Sequence, residues 1–136
     1  MEKTILCIED NYHNRRLVQK ALSARGYGVF LAEDGVSGWQ MVQEIRPSLV
    51  LLDISLPGKD GLEIVSLMKA DEALKNTWVI ALTASAMTGD RERFLAAGCD
   101  DYLSKPIQIK ELLEQVERFF DSREVRGAAE GDGGFR

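Results

Sequence analysis

Glu9-Asp10, Asp53, Thr83 and Lys105 each stand just after a short, mostly apolar run: ILCI, SLVLL, WVIAL and DYLS. Runs of this kind read as buried strands of a parallel sheet. Ligands of an open parallel sheet bind just outside the carboxyl ends of its strands. Residues far apart in the chain are therefore expected to meet in one cleft. Three carboxylates, a hydroxyl and an ammonium are chemistry for a divalent cation together with an anion.

The elements that must position them alternate. Thr4–Ile8 reads as the first strand, followed by a helix that Asn11 caps, with a stripe of Leu17, Val18, Ala21 and Leu22 and a stop at Gly26. Gly28–Ala32 is the second strand. Asp34 caps the next helix, which carries Val36, Trp39, Val42 and Ile45 and is stopped by Pro47. Ser48–Leu52 is the most continuously apolar strand and is expected at the centre of the sheet. The loop ISLPGKDG, broken by Pro57, Gly58 and Gly61, leads into a helix with Leu62, Val65, Met68 and Ala70. Thr77–Leu82 is a fourth strand, Thr88–Ala97 a short polar helix ending at Gly98, and Asp101–Leu103 a fifth strand. After Pro106 a last helix runs to about Phe120, with Ile109, Leu112, Leu113, Val116, Phe119 and Phe120 on one face. Five strand–helix repeats predict an α/β fold: a doubly wound parallel sheet with helices on both faces, because each crossover is right-handed.

The bulk numbers bound the function. A chain of 136 residues fits one domain. A formal net charge of −5 argues against a general nucleic-acid binder, so no direct DNA binding is expected. Cys7 and Cys99 are too few for a disulfide framework. Cys7 is expected inside the first strand, Cys99 partly exposed, and both free in a reducing compartment. No signal peptide is visible, and no apolar run approaches the ~20 residues that span a bilayer. A cytoplasmic protein is expected. Residues 1–121 read as one domain and 122–136, rich in glycine and ending GDGGFR, as a disordered tail in which Phe135 is a candidate docking residue. The single histidine, His13, reads as an ordinary surface residue. Trp39 is expected to pack inside and Trp78 to be partly exposed.

ILCIED, LLDISLPGKDG, ALTA and YLSKP, in this order and spacing, resemble the receiver domain of two-component response regulators, over roughly residues 3 to 120. Each motif alone is weak; together, on the strand ends of a five-fold βα pattern, they are specific. The resemblance implies a flavodoxin-like sheet of strand order 2-1-3-4-5 and a stand-alone receiver. It implies that Asp53 accepts a phosphoryl group from a phosphohistidine on a sensor histidine kinase or a histidine phosphotransfer protein. It further implies Mg2+ held by Asp10, Asp53 and the backbone carbonyl of Ser55, with Glu9 direct or through water. Glu9 departs from the aspartate common at its position. Lys105 would face the phosphoryl group, with Lys105-Pro106 as a cis bond. Thr83 would donate to a phosphate oxygen, and Tyr102 would turn inward. The face of the fourth helix, fifth strand and fifth helix would then change shape for a downstream protein, in a monomer or weak dimer. Ser55 and Ser85, two residues beyond Asp53 and Thr83, are positions that influence acyl-phosphate lifetime in the family.

Two rivals stand beside this reading. A phosphohydrolase with an aspartyl-phosphate intermediate would need a second acid–base group, and Ser55 is unsuited to that at neutral pH. An interaction module that keeps the fold without phosphorylation is the other. For Asp53 to accept, its carboxylate must be reachable, and Lys105 must point into the same pocket.

Overall fold

The computed structural model describes residues 3–56, 60–84 and 90–134, with side chains as far as Arg123. Pro57, Gly58, Ser85 and Phe135, each singled out above, lie outside the described residues. Ten elements alternate: β1 (Thr4–Ile8), α1 (Tyr12–Ser23), β2 (Gly28–Ala32), α2 (Gly35–Ile45), β3 (Leu49–Asp53), α3 (Gly61–Lys69), β4 (Trp78–Thr83), α4 (Asp90–Ala97), β5 (Asp101–Ser104) and α5 (Ile109–Gly134). The five strands form one parallel sheet in the order β2-β1-β3-β4-β5. This is the doubly wound, flavodoxin-like (βα)5 arrangement expected from the sequence.

Unbroken apolarity places β3 at the centre, and all of its residues are buried. The sheet separates two cores. Ile5, Cys7, Leu49, Leu51, Ile80 and Leu82 face α1 and α5, packing on Val18, Leu22, Leu112, Val116 and Phe120. Leu6, Ile8, Val50, Leu52, Val79 and Ala81 face the other helices, packing on Val42, Ile64, Val65, Met68 and Phe94. Both faces are covered over the inner strands β1, β3 and β4, as a parallel sheet flanked by crossover helices requires, while the edge strand β2 leaves Phe30 exposed.

Helix starts follow their caps. Asn11 Oδ1 accepts from Asn14 N–H at 2.9 Å, and Asp34 Oδ1 from Ser37 N–H at 2.8 Å. Asp60 caps α3 in the same way, accepting from Leu62 N–H at 2.9 Å. Gly26 closes α1 at φ +88, a conformation that costs a β-carbon-bearing residue strain.

Strands β3, β4 and β5 extend one residue further toward their carboxyl ends than the apolar runs suggested, and β3 and β4 also begin one residue later. Asp53 and Thr83 are thus the last residues of strands, held by the sheet rather than by loops. Val36 and Leu17, expected on inner stripes, are exposed at 63% and 38%. In α2 the inward positions are taken by Gly35, Gly38 and Val42. A β-carbon on Gly38 would stand 2.7 Å from the Ile8 side chain, so close packing through glycine carries the contact that Val36 was expected to make. Cys99 is buried, not partly exposed: its N–H donates to the Phe94 carbonyl and its side chain joins the second core. α5 continues past Phe120, because the Arg123 guanidinium lies 4.9 Å from the Phe119 ring and donates to the Asn76 carbonyl at 3.0 Å. No helix among the described residues is long and apolar enough to cross a membrane.

Candidate functional site

Four of the strand-end residues singled out from the sequence come together at the carboxyl edge of the sheet. Lys105 Nζ lies 2.9 Å from Glu9 Oε1 and 3.0 Å from Asp53 Oδ2. One ammonium therefore joins the end of β1 to the end of β3. The Lys105 main chain is fixed as well, since its N–H donates to the Thr83 carbonyl at 2.8 Å. Thr83 is buried beside it. The Lys105-Pro106 bond is cis.

Glu9 is fully buried, and donors from three residues hold its carboxylate: Asn11 N–H on Oε2 at 2.9 Å, with Asn14 Nδ2 at 3.2 Å and Lys105 on Oε1. Burial pushes its carboxyl above the usual range. The Asn11 and Lys105 contacts oppose that push, and the Asp53 charge adds to it. Asp10 is exposed at the cleft mouth. Its slight burial works upward, but contacts with the Glu9 and Asp53 carboxyls, its own backbone and the Lys105 charge bring it below the usual range. For Lys105 burial works downward, and its bonds to Glu9 and Asp53 outweigh that and raise it.

Asp53 carries Lys105 on Oδ2 and the Ser55 N–H on Oδ1 at 2.9 Å. Its side chain is only 3% exposed, so the carboxylate is covered rather than open. Lys105, whose ammonium lies against it, has a side chain 21% exposed and a flexible stem. Gly61, at the start of α3, lies so close behind Asp53 that a β-carbon there would stand 2.7 Å from the Asp53 carbonyl oxygen.

One oxygen from each of Glu9, Asp10 and Asp53 lies within 4.8 Å of the others. Three carboxylate oxygens this close could all serve as ligands of one small divalent cation, with waters completing its shell. Three carboxylates face one ammonium, and a divalent cation matches the excess charge. Hard oxygen donors with no sulfur or imidazole among them suit magnesium.

Tyr102 lies on β5, half-buried against the second core. Its N–H donates to Asp101 Oδ1 at 2.8 Å and its carbonyl accepts from Gln115 Nε2 at 3.1 Å. Sequence reasoning missed three contributors at or near this edge: Asn14, Arg15 and Gln115. Arg15 Nη1 donates to the carbonyls of Glu9 and Asp10 at 2.9 and 3.0 Å. The signal for Asn14 and Arg15 was their place in the first turns of α1, which returns them toward the doublet.

The family model for the response regulator receiver domain matches residues 5–117. The polar-differentiation response regulator DivK of Brucella anthropi is 38% identical over 119 residues, covering 88% of this chain and 97% of its own. Among solved structures, the receiver domain of sensor histidine kinase PA1611 from Pseudomonas aeruginosa PAO1, with a magnesium ion coordinated in its active-site cleft, is 36% identical at a TM-score of 0.78. That match covers 87% of this chain and 97% of the other. A CheY-like receiver domain from Methanospirillum hungatei JF-1 is 28% identical at a TM-score of 0.82, covering 93% and 99%. With the fold, the strand-end set and these relatives in agreement, the chain belongs to the response regulator receiver domain family.

Proposed function

We propose that this chain is a single-domain response regulator that takes a phosphoryl group onto Asp53 and changes its protein contacts in consequence. Receiver domains are signalling domains rather than enzymes acting on a pool of substrate. The observation that carries the proposal is the Lys105 ammonium within 3.0 Å of both Glu9 and Asp53 beside a three-carboxylate oxygen set.

An Asp53 carboxylate oxygen attacks the phosphorus of a phosphohistidine on a sensor histidine kinase or histidine phosphotransfer protein. A P–O bond forms to give an acyl phosphate, the P–N bond breaks, and the leaving imidazole takes up a proton. Movement of the Lys105 ammonium off Oδ2 exposes the attacking oxygen, and the same ammonium then meets the phosphoryl oxygens, where charge stabilisation matters most. Asp10, Asp53 and the Ser55 backbone carbonyl, with Glu9 direct or through water, would hold Mg2+, which when bound would supply a further positive charge to those oxygens. The domain thereby promotes its own phosphorylation and a slow autodephosphorylation.

The Thr83 hydroxyl donates to the new phosphate and Tyr102 follows it inward. The α4-β5-α5 face then changes shape by a population shift. The partners are a kinase or phosphotransfer protein upstream and a protein target downstream, in the cytoplasm, with no DNA or membrane contact and a monomer or weak dimer as the working state.

The test is intact mass after incubation with a small acyl or amide phosphodonor and Mg2+. A gain of one phosphate is expected, absent in Asp53→Asn and after chelation. The covered Asp53 carboxylate favours a second outcome, a receiver fold that binds partners unphosphorylated, and no mass gain with any donor selects it.

A further inference from the structure

Two neighbouring side chains of α1, given no part in the transfer above, turn back onto the acidic doublet. Arg15 spreads one guanidinium nitrogen across the carbonyls of Glu9 and Asp10, at 2.9 and 3.0 Å. Its second terminal nitrogen lies 3.8 Å from Glu33 Oε2, and its side chain is 14% exposed. Asn14 acts on the other end of Glu9, with Nδ2 on Oε1, the oxygen that also holds Lys105. The Asn14 main chain is fixed by the Asn11 cap. A bond to the carbonyls only shapes the loop. A bond to Glu9 Oε1 chooses where a carboxylate of the metal set points.

We infer that Asn14 and Arg15 are positioning residues of the Mg2+ site: Arg15 fixes the main chain of Glu9-Asp10, and Asn14 fixes the Glu9 carboxylate, so the three carboxylates are presented as one preformed oxygen set. Partners of this kind orient metal ligands, and their loss commonly weakens metal binding by about 10–100-fold. The benefit is preorganisation, since rotamers already fixed need not be frozen when the ion binds. Arg15 suits its half of the task because one terminal nitrogen holds both carbonyls while the other faces Glu33, whereas a lysine has a single nitrogen for both sites.

The inference rests on the metal reading above, and its test separates the two. Mg2+ is titrated calorimetrically into the wild type, Asn14→Ala, Arg15→Ala and Arg15→Lys, and the metal-free Tm of each is measured. Gly26→Ala, strained at a turn away from the site, serves as a control for lost stability. The expected result is Mg2+ binding about tenfold weaker in Asn14→Ala at near-wild-type Tm. Arg15→Ala is expected to be weakened too, and Arg15→Lys to lie between it and the wild type. Equal affinity in Asn14→Ala and the wild type overturns the inference and leaves the metal reading standing. So does a loss of affinity that Gly26→Ala shares in proportion to its Tm. A wild type that binds no Mg2+ overturns the metal reading itself, and the inference with it.

Discussion

Lys105 is the residue on which the charge balance of the cleft turns. It holds Glu9 and Asp53 together, and both carboxylates are almost wholly buried. Lys105→Met keeps most of the stem and removes the charge. Removing one partner of a buried pair costs about 3–5 kcal/mol, and the partial exposure of this lysine reduces the expectation to about 2 kcal/mol. The Tm of metal-free Lys105→Met is expected to fall, with Mg2+ recovering part of the loss by taking over as counter-charge. Thermal unfolding with and without a chelator checks this, and an unchanged Tm would mean that the ammonium does not carry the balance. The cysteines give a pH prediction. Burial is the main cause that raises the Cys99 thiol to about 11; the Asp100 charge adds to it and Lys69 opposes. Burial likewise raises Cys7 above the usual thiol range. An acid raised in the folded state binds its proton more tightly there. Cys99 therefore contributes stability that is present below its ordinary value near 9 and lost as pH rises through about 11. At pH 8 neither thiol is expected to react with iodoacetamide until the chain is unfolded, and rapid labelling of the native protein would contradict their burial.

The elements carry the site through close approach. α3 begins at Gly61, against the Asp53 carbonyl and Ile54 Cα, where a β-carbon would stand 2.7 and 3.0 Å away. Both neighbours are backbone atoms that cannot swing aside. Gly61→Ala is therefore expected to destabilise by about 1–3 kcal/mol and also to displace Asp53. Gly26→Ala meets no atom within 4 Å and suffers only from its positive φ, about 1 kcal/mol. Urea unfolding together with phosphorylation rate should separate them: Gly61→Ala loses both stability and rate, Gly26→Ala stability alone. This contrast also shows what a sequence makes legible at this scale. SLVLL announced a central strand, and Asn11 and Asp34 announced helix starts, because apolarity and capping chemistry are local. The strand-end residues could be placed on one sheet edge because βα alternation fixes that edge. Side-chain contacts across elements were not legible. Its place in the first turn of α1 brings Asn14 toward the doublet but does not say that it bonds the Glu9 carboxylate, and nothing local to Val36 says that Gly38 packs against Ile8 instead.

At the scale of the molecule, a sheet covered on both faces makes the two cores separate packing problems, and α5 closes the first of them. The composition of the chain suggested a boundary at 121/122, where apolar residues thin out. Among the described residues, side-chain ties to the rest of the fold reach at least to Arg123. Its guanidinium packs on Phe119, whose ring stacks on Trp78 at 5.3 Å, and it donates to Asn76 in the turn before β4. One side chain thus fastens the end of the α5 packing surface to the sheet's amino-terminal edge, the edge opposite the acidic cleft. A cation over an aromatic face and a charged hydrogen bond at a partly exposed site together contribute about 1–2 kcal/mol. A chain stopped after Arg123 is expected to unfold within a degree or two of the full length, and one stopped after Phe120 to unfold several degrees lower. Arg123→Ala in the full-length chain should reproduce most of that difference. Scanning calorimetry of the three chains decides the matter. Equal loss in both truncations would assign stability to residues beyond Arg123, and equal retention would show that the Arg123 tie contributes nothing measurable. Phosphorylation of Asp53 should survive either truncation, because the tie and the cleft lie at opposite ends of the strands.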